Sequence, residues 1–133
     1  MKVISSQISF KKKGLQKNNI KFDEKFGAGS IYNRGEETIM LTDALRKNLK
    51  IINVKETIGF VKQEESTWFT GFNEEFFLKQ GACFYRMNSR IYILLILQYA
   101  IRKYRLYSKN LKLKVAIQNM IKGALQYKKE VYK

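Results

Sequence analysis

Few side chains in this sequence are equipped for proton chemistry. The 133-residue chain has no histidine and a single cysteine, Cys83. That excludes Ser-His-Asp and Cys-His nucleophilic catalysis, imidazole acid/base chemistry, and zinc sites built on imidazoles or on several thiolates. Acid/base work falls to carboxylates, Lys or Tyr. The acids in the most suggestive setting are Glu36 and Glu37, which follow Gly35 and open an amphipathic segment. Just upstream lies Phe22-Asp23-Glu24-Lys25-Phe26-Gly27-Ala28-Gly29, whose glycines permit positive φ and close approach of a ligand to the backbone. A carboxylate at such a loop-to-helix junction is placed to take a proton from a hydroxyl held by the loop. The same two acids also serve a plain structural end, since a first helical turn offers free N–H groups and the positive end of the dipole.

The elements that must position this pair read as α/β. Residues 3–10 carry β-branched and alternating apolar positions and read as a strand, ended by Lys11-Lys12-Lys13-Gly14. Residues 15–19 form a helical turn or loop. From Glu36 to Leu49 the period changes: Met40, Leu41, Ala44, Leu45 and Leu49 recur at helical spacing, with Arg46, Lys47 and Lys50 at the end where cations are favoured. Residues 50–54 and 57–61 then read as strand, and 62–71 as an exposed loop containing Trp68. Asn73 is the expected N-cap of a further helix with Glu74 and Glu75 in its first turn, and Asn88 or Ser89 that of the next. Cys83, between Ala82 and Phe84, reads as a buried thiol that asks for no oxidising compartment.

Charge divides the chain. Residues 1–81 hold 14 Lys+Arg against 10 Asp+Glu, a net of +4, while residues 82–133 hold 12 Lys+Arg against Glu130 alone, a net of +11. Within the basic part, Ile91 to Ile101 is apolar apart from Gln98 and the tyrosine hydroxyls. At about 1.5 Å per residue this run covers roughly 16 Å, half of a hydrocarbon core, so it does not span a bilayer. Arg90 before it and Arg102, Lys103 and Arg105 after it suit the headgroup level of an anionic membrane surface. Residues 111–127 form a second amphipathic helix, with Leu113, Ile117, Met120, Ile121 and Ala124 on one face. Both helices have a plainer reading, as faces packed on the rest of the chain. Nucleic acid is the less favoured anion, because Tyr99, Tyr104 and Tyr107 among these cations offer only a loose version of a stacking surface.

The order of residues over roughly 3–71 resembles the C-terminal part of the catalytic domain in bacterial family 2 glycosyltransferases. The resemblance rests on Ile8-Ser9-Phe10, the loop Ile20 to Gly29, Gly35-Glu36-Glu37 at the head of a helix, and Lys47 to Ile51 leading into a strand. It implies an incomplete GT-A type α/β domain, its acceptor-side half, over residues 1–72, followed by a basic, apolar and membrane-proximal helical tail over 73–133. It implies transfer of a sugar from a nucleotide-sugar donor to a glycan or lipid-linked acceptor hydroxyl, as in making a cell-surface polysaccharide. Glu37, with Glu36 beside it, inherits the role of base. Asp23, Glu24, Gly27 and Gly29 shape the acceptor side, and Ser66, Thr67, Trp68 and Gly71 belong to a loop that closes over the substrates.

The sequence departs from that family in two places. Its only aspartates are Asp23 and Asp43, so the Asp-x-Asp motif that holds a divalent ion on the donor diphosphate is missing. Val61-Lys62-Gln63 stands where many members carry a histidine. The expectation is therefore an acceptor-side segment without its donor half and inactive alone, with Mg or Mn needed only by the complete enzyme. Its expected place is cytoplasmic, at the inner face of the cell membrane. The alternative is a non-enzymatic basic module that binds an anionic membrane surface.

Overall fold

The computed structural model describes residues 8–55, 69 and 71–132, and every regular element among them is a helix: α1 (Lys12–Lys17), α2 (Glu36–Arg46), α3 (Glu74–Met87), α4 (Tyr92–Tyr107) and α5 (Leu113–Val131). The expected α/β class, an incomplete GT-A domain, is thereby corrected: the described residues form an all-helical, bundle-like arrangement. Residues 8–10 and 50–55 have strand composition but lie in irregular backbone, and Ile51, Ile52 and Val54 are exposed. A strand satisfies its N–H and C=O groups only through a neighbour, and no described segment pairs with these. The expected strand residues 3–7 and 57–61, and Trp68, lie outside the described residues.

The two short helices end by the same device. After α1, Asn19 is left-handed (φ 48°), its N–H donates to Gln16 O, and the Ile20 N–H donates to Leu15 O. After α2, Asn48 is left-handed (φ 57°), its N–H donates to Leu45 O, and the Leu49 N–H donates to Ala44 O. These are Schellman stops, with asparagine where glycine is commoner. The apolar residue that follows each stop, Ile20 or Leu49, packs with Leu15, Met40 and Ala44 in a small cluster of its own. Residues 47–51 thus close a helix rather than lead into a strand.

The larger helices build the main core. Asn73 caps α3 as expected, its side-chain oxygen accepting from the Phe76 N–H at 2.8 Å. The helix after it starts later than expected, at Tyr92, and no side chain caps it; Asn88 instead accepts from the Arg90 N–H in the intervening turn. The contact between α3 and α5 is the most extensive between helices among the described residues. Leu78, Gly81, Ala82 and Tyr85 on α3 correspond in type and spacing to Met120, Gly123, Ala124 and Tyr127 on α5. A Cβ at Gly81 would collide with the Met120 carbonyl, and a Cβ at Gly123 with the Leu78 carbonyl. The two glycines are therefore reciprocal, and they let the backbones touch where side chains would hold them apart. Further along, Tyr85 meets Tyr127, with ring centroids 6.3 Å apart.

Helix α4 completes this unit by burying Ile96, Ala100 and Tyr107. The Tyr107 hydroxyl donates to Ala100 O at 2.7 Å, and its ring packs on Phe77. Phe26 and Tyr32 of the loop between α1 and α2, and Ile39 of α2, share one buried cluster with Ala82, Cys83, Tyr85, Ala124 and Tyr127.

The reciprocal glycines make a test. Gly81→Ala and Gly123→Ala should each lower stability by about 3 kcal/mol, because the obstructing atoms are backbone and cannot rotate away. Urea denaturation reads the loss. An exposed helical control, Gln118→Ala, should leave the midpoint nearly unchanged.

Candidate functional site

The loop between α1 and α2 is a closed, hydrogen-bonded structure. Asp23 Oδ1 accepts from the Lys25 N–H and Asp23 O from the Phe26 N–H, making a tight turn. The Ser30 hydroxyl lies 2.7 Å from both Lys25 O and Gly27 O and accepts from the Asn33 N–H, while the Tyr32 N–H donates to Lys25 O. The two ends of the loop are thereby sewn together. Phe26 and Tyr32 stack at 5.1 Å, and both rings pack on Tyr127 of α5. The Tyr32 hydroxyl donates to Glu130 at 3.0 Å, and Lys25 lies 3.8 Å from the same carboxylate.

A guanidinium holds the other side of the loop. Arg86, near the end of α3, donates from Nε to Asp23 at 2.7 Å and from both terminal nitrogens to Asp43 of α2, at 3.2 and 2.8 Å. Burial works against its charge, but the hydrogen bonds to Asp43 and Asp23 outweigh it and raise the arginine's proton affinity further. Both aspartates of the chain are thus engaged by one arginine. Arg46 joins the cluster, 3.8 Å from Asp43 and donating to the Met87 carbonyl. The sequence reading passed over Arg86. No local signal marks it, because its partners Asp23 and Asp43 lie far from it in the chain.

This framework brings Glu36 to the loop. Gly35 is left-handed (φ 83°) and lies against the Cys83 sulfur, so a side chain there meets both strain and a clash. From this corner α2 begins, with the Glu36 carboxylate about as close to Gly27 as packing allows: both oxygens would lie 3.2 Å from a Cβ placed there. The carboxyl is pushed above its usual range by burial first, then by the neighbouring charges of Glu37 and Asp23. Glu37 shares the first turn and is half-buried. Glu24 and Gly29 are exposed at the loop surface, Gly27 is half-buried, and Trp68 lies outside the described residues. The Asp23 carboxylate does structural work on Arg86 and the Lys25 N–H.

An open cleft of about 690 Å³ runs beside the loop, lined by residues 19–25 together with Asp43, Arg46, Lys47 and Arg86. Neither Glu36 nor Glu37 lines it. The described residues do not fit a divalent ion, because no three acidic, thiol or imidazole groups converge and Arg86 already occupies Asp23 and Asp43. Cys83 is buried, as its neighbours in sequence suggested, and burial pushes its thiol up to about 12, which suits a packing role rather than a nucleophile. Arg34, also missed in the sequence, lies with its guanidinium 3.7 Å from the Phe76 ring centre and donates to Gln80.

Two measurements test this geometry. Arg86→Leu leaves two half-buried carboxylates facing each other and should cost about 2 kcal/mol in urea denaturation, less than a fully buried pair because water screens the cluster. The loss should be strongly non-additive with Asp43→Asn. In a carboxyl-detected NMR titration, Glu36 should titrate above the usual glutamate range, and Glu37→Gln should lower its midpoint without restoring it fully. Since the folded state holds this proton more tightly than the unfolded chain, the group's contribution to stability is present at low pH. It is lost as pH rises through the folded midpoint.

Comparison of the chain with protein-family models, curated proteins and solved structures gives no match.

Proposed function

We propose that the chain supplies the acceptor-side residues of a glycosyl transfer from a nucleotide-sugar donor to an acceptor hydroxyl. The observation that carries this reading is the Glu36 carboxylate lying against Gly27 of a closed, glycine-containing loop, with Glu37 in the same helical turn. The acceptor hydroxyl binds at the loop. As its oxygen attacks the anomeric carbon, the bond from that carbon to the donor phosphate breaks and the nucleotide diphosphate leaves. The hydroxyl proton passes to the carboxylate pair. The family resemblance gives that proton to Glu37, and the geometry sets Glu36 nearer the loop. A carboxyl raised above its usual range is the stronger base, which favours the transfer near neutral pH. The sequence has no Asp-x-Asp motif for the donor diphosphate, so turnover of a nucleotide-sugar is expected to need a donor-binding partner.

Acceptor binding tests this on the chain as it stands. Titrating the isotopically labelled protein with a panel of methyl glycosides should shift the amides of Gly27, Gly29 and Glu36, and Glu36→Gln with Glu37→Gln should weaken that response. If no glycoside moves these amides, the reading fails. It also fails if the chain alone hydrolyses a nucleotide-sugar and Glu37→Gln leaves the rate unchanged.

A further inference from the structure

The sequence offers two amphipathic helices to an external surface, and the fold uses one of them up. Helix α5 turns Ala116, Met120, Gly123, Ala124 and Tyr127 into the core. Helix α4 buries one side only. Leu94, Leu97 and Ile101, which follow one another at helical spacing on its outer side, remain exposed, Leu94 by 64% and Ile101 by 66%. Arg90 precedes this stripe by one turn, and Arg102 and Arg105 follow it, all three exposed.

We infer that this outer face of α4 docks on an anionic lipid surface, with the helix lying in the interface. The inference is independent of the sugar-transfer reading. The stripe asks for an apolar layer, and its two ends ask for anions in the same plane. A bilayer interface supplies acyl carbon and phosphate at those relative positions. Symmetric pairing of two α4 faces does not, because residues 76–129 contain no Asp or Glu to receive the arginines and stacking the faces would bring like charges together. Nucleic acid supplies the phosphates but no apolar layer. Crossing is not the mode, since no helix among the described residues is long and apolar enough to span a membrane.

Co-sedimentation of the full chain with vesicles tests the docking. Binding is expected to equimolar phosphatidylcholine and phosphatidylglycerol, to weaken with salt, and to be nearly absent on phosphatidylcholine alone. Leu94→Gln with Ile101→Gln should lower the partition coefficient about tenfold or more, and Arg102→Gln with Arg105→Gln by a similar factor. All four positions are exposed, so the circular dichroism spectrum and urea midpoint should not change. Three outcomes overturn the proposal: no binding to the anionic vesicles, binding that the apolar pair leaves intact, or a solution dimer that Leu94→Gln with Ile101→Gln splits while vesicle binding persists. The second of these is adsorption by charge alone, as to any polyanion.

Discussion

The architecture depends on one steric constraint: the α3 and α5 backbones touch at Gly81 and Gly123. Glycine inside a helix costs roughly 0.5–1 kcal/mol against alanine, so two such residues at one contact weaken both helices taken singly. What offsets the loss is proximity. With the backbones together, Ala82 and Ala124 are buried beside the contact, and Met120 and Tyr127 reach past it to neighbouring elements. Tyr127 in particular can meet Phe26 and Tyr32 because α5 lies so close to α3. Separating the helices by one methyl group would move the surface on which the loop rests.

The loop is thus the dependent part, and it is held from two sides by different physics. On the α5 side the hold is aromatic burial, which is tolerant of direction. On the α3 side it is the fork of Arg86, which is not: a guanidinium meeting two carboxylates fixes both distance and angle. Because Asp23 belongs to the loop and Asp43 to α2, this one side chain sets the loop and the helix relative to each other. Glu36, the first residue of α2, receives its position against Gly27 from contacts it does not make itself.

Helix α3 was legible in the sequence because its signals are local: an Asn cap, two acids in the first turn, and a long apolar run. The favourable charges at both ends of α2 were legible for the same reason. Two kinds of feature were not. Ile51, Ile52 and Val54 have strand propensity, but a strand is a property of a pair, and propensity does not say whether a partner is present. The left-handed turns at Asn19 and Asn48 end α1 and α2 through two backbone hydrogen bonds each, and asparagine is not a strong sequence marker of such a stop. Of the site, the pairing of loop and carboxylate was visible as proximity in sequence. Arg86 was not, because its partners lie some forty and sixty residues upstream and only the fold makes them neighbours. The two amphipathic helices looked equivalent by periodicity, and only packing distinguished the one that is consumed.

The distribution of acids explains why the excess charge faces outward on α4. Asp23 and Asp43 are engaged by Arg86, Glu75 by Lys79 at 2.6 Å, and Glu130 by Lys25 and the Tyr32 hydroxyl. Each sits at or near the end of a helix or in the loop, and none lies between residues 75 and 130. The cations of α4 therefore find no carboxylate on their own helix or on most of its neighbours. Arg102 and Arg105 stand three residues apart on the helix, and like charges at that spacing repel by a few tenths of a kcal/mol. In water, salt screens that repulsion over about 8 Å and the fold tolerates it. Beside an anionic surface the same charges become attractive, so a feature that weakens α4 in isolation gives its outer face a direction.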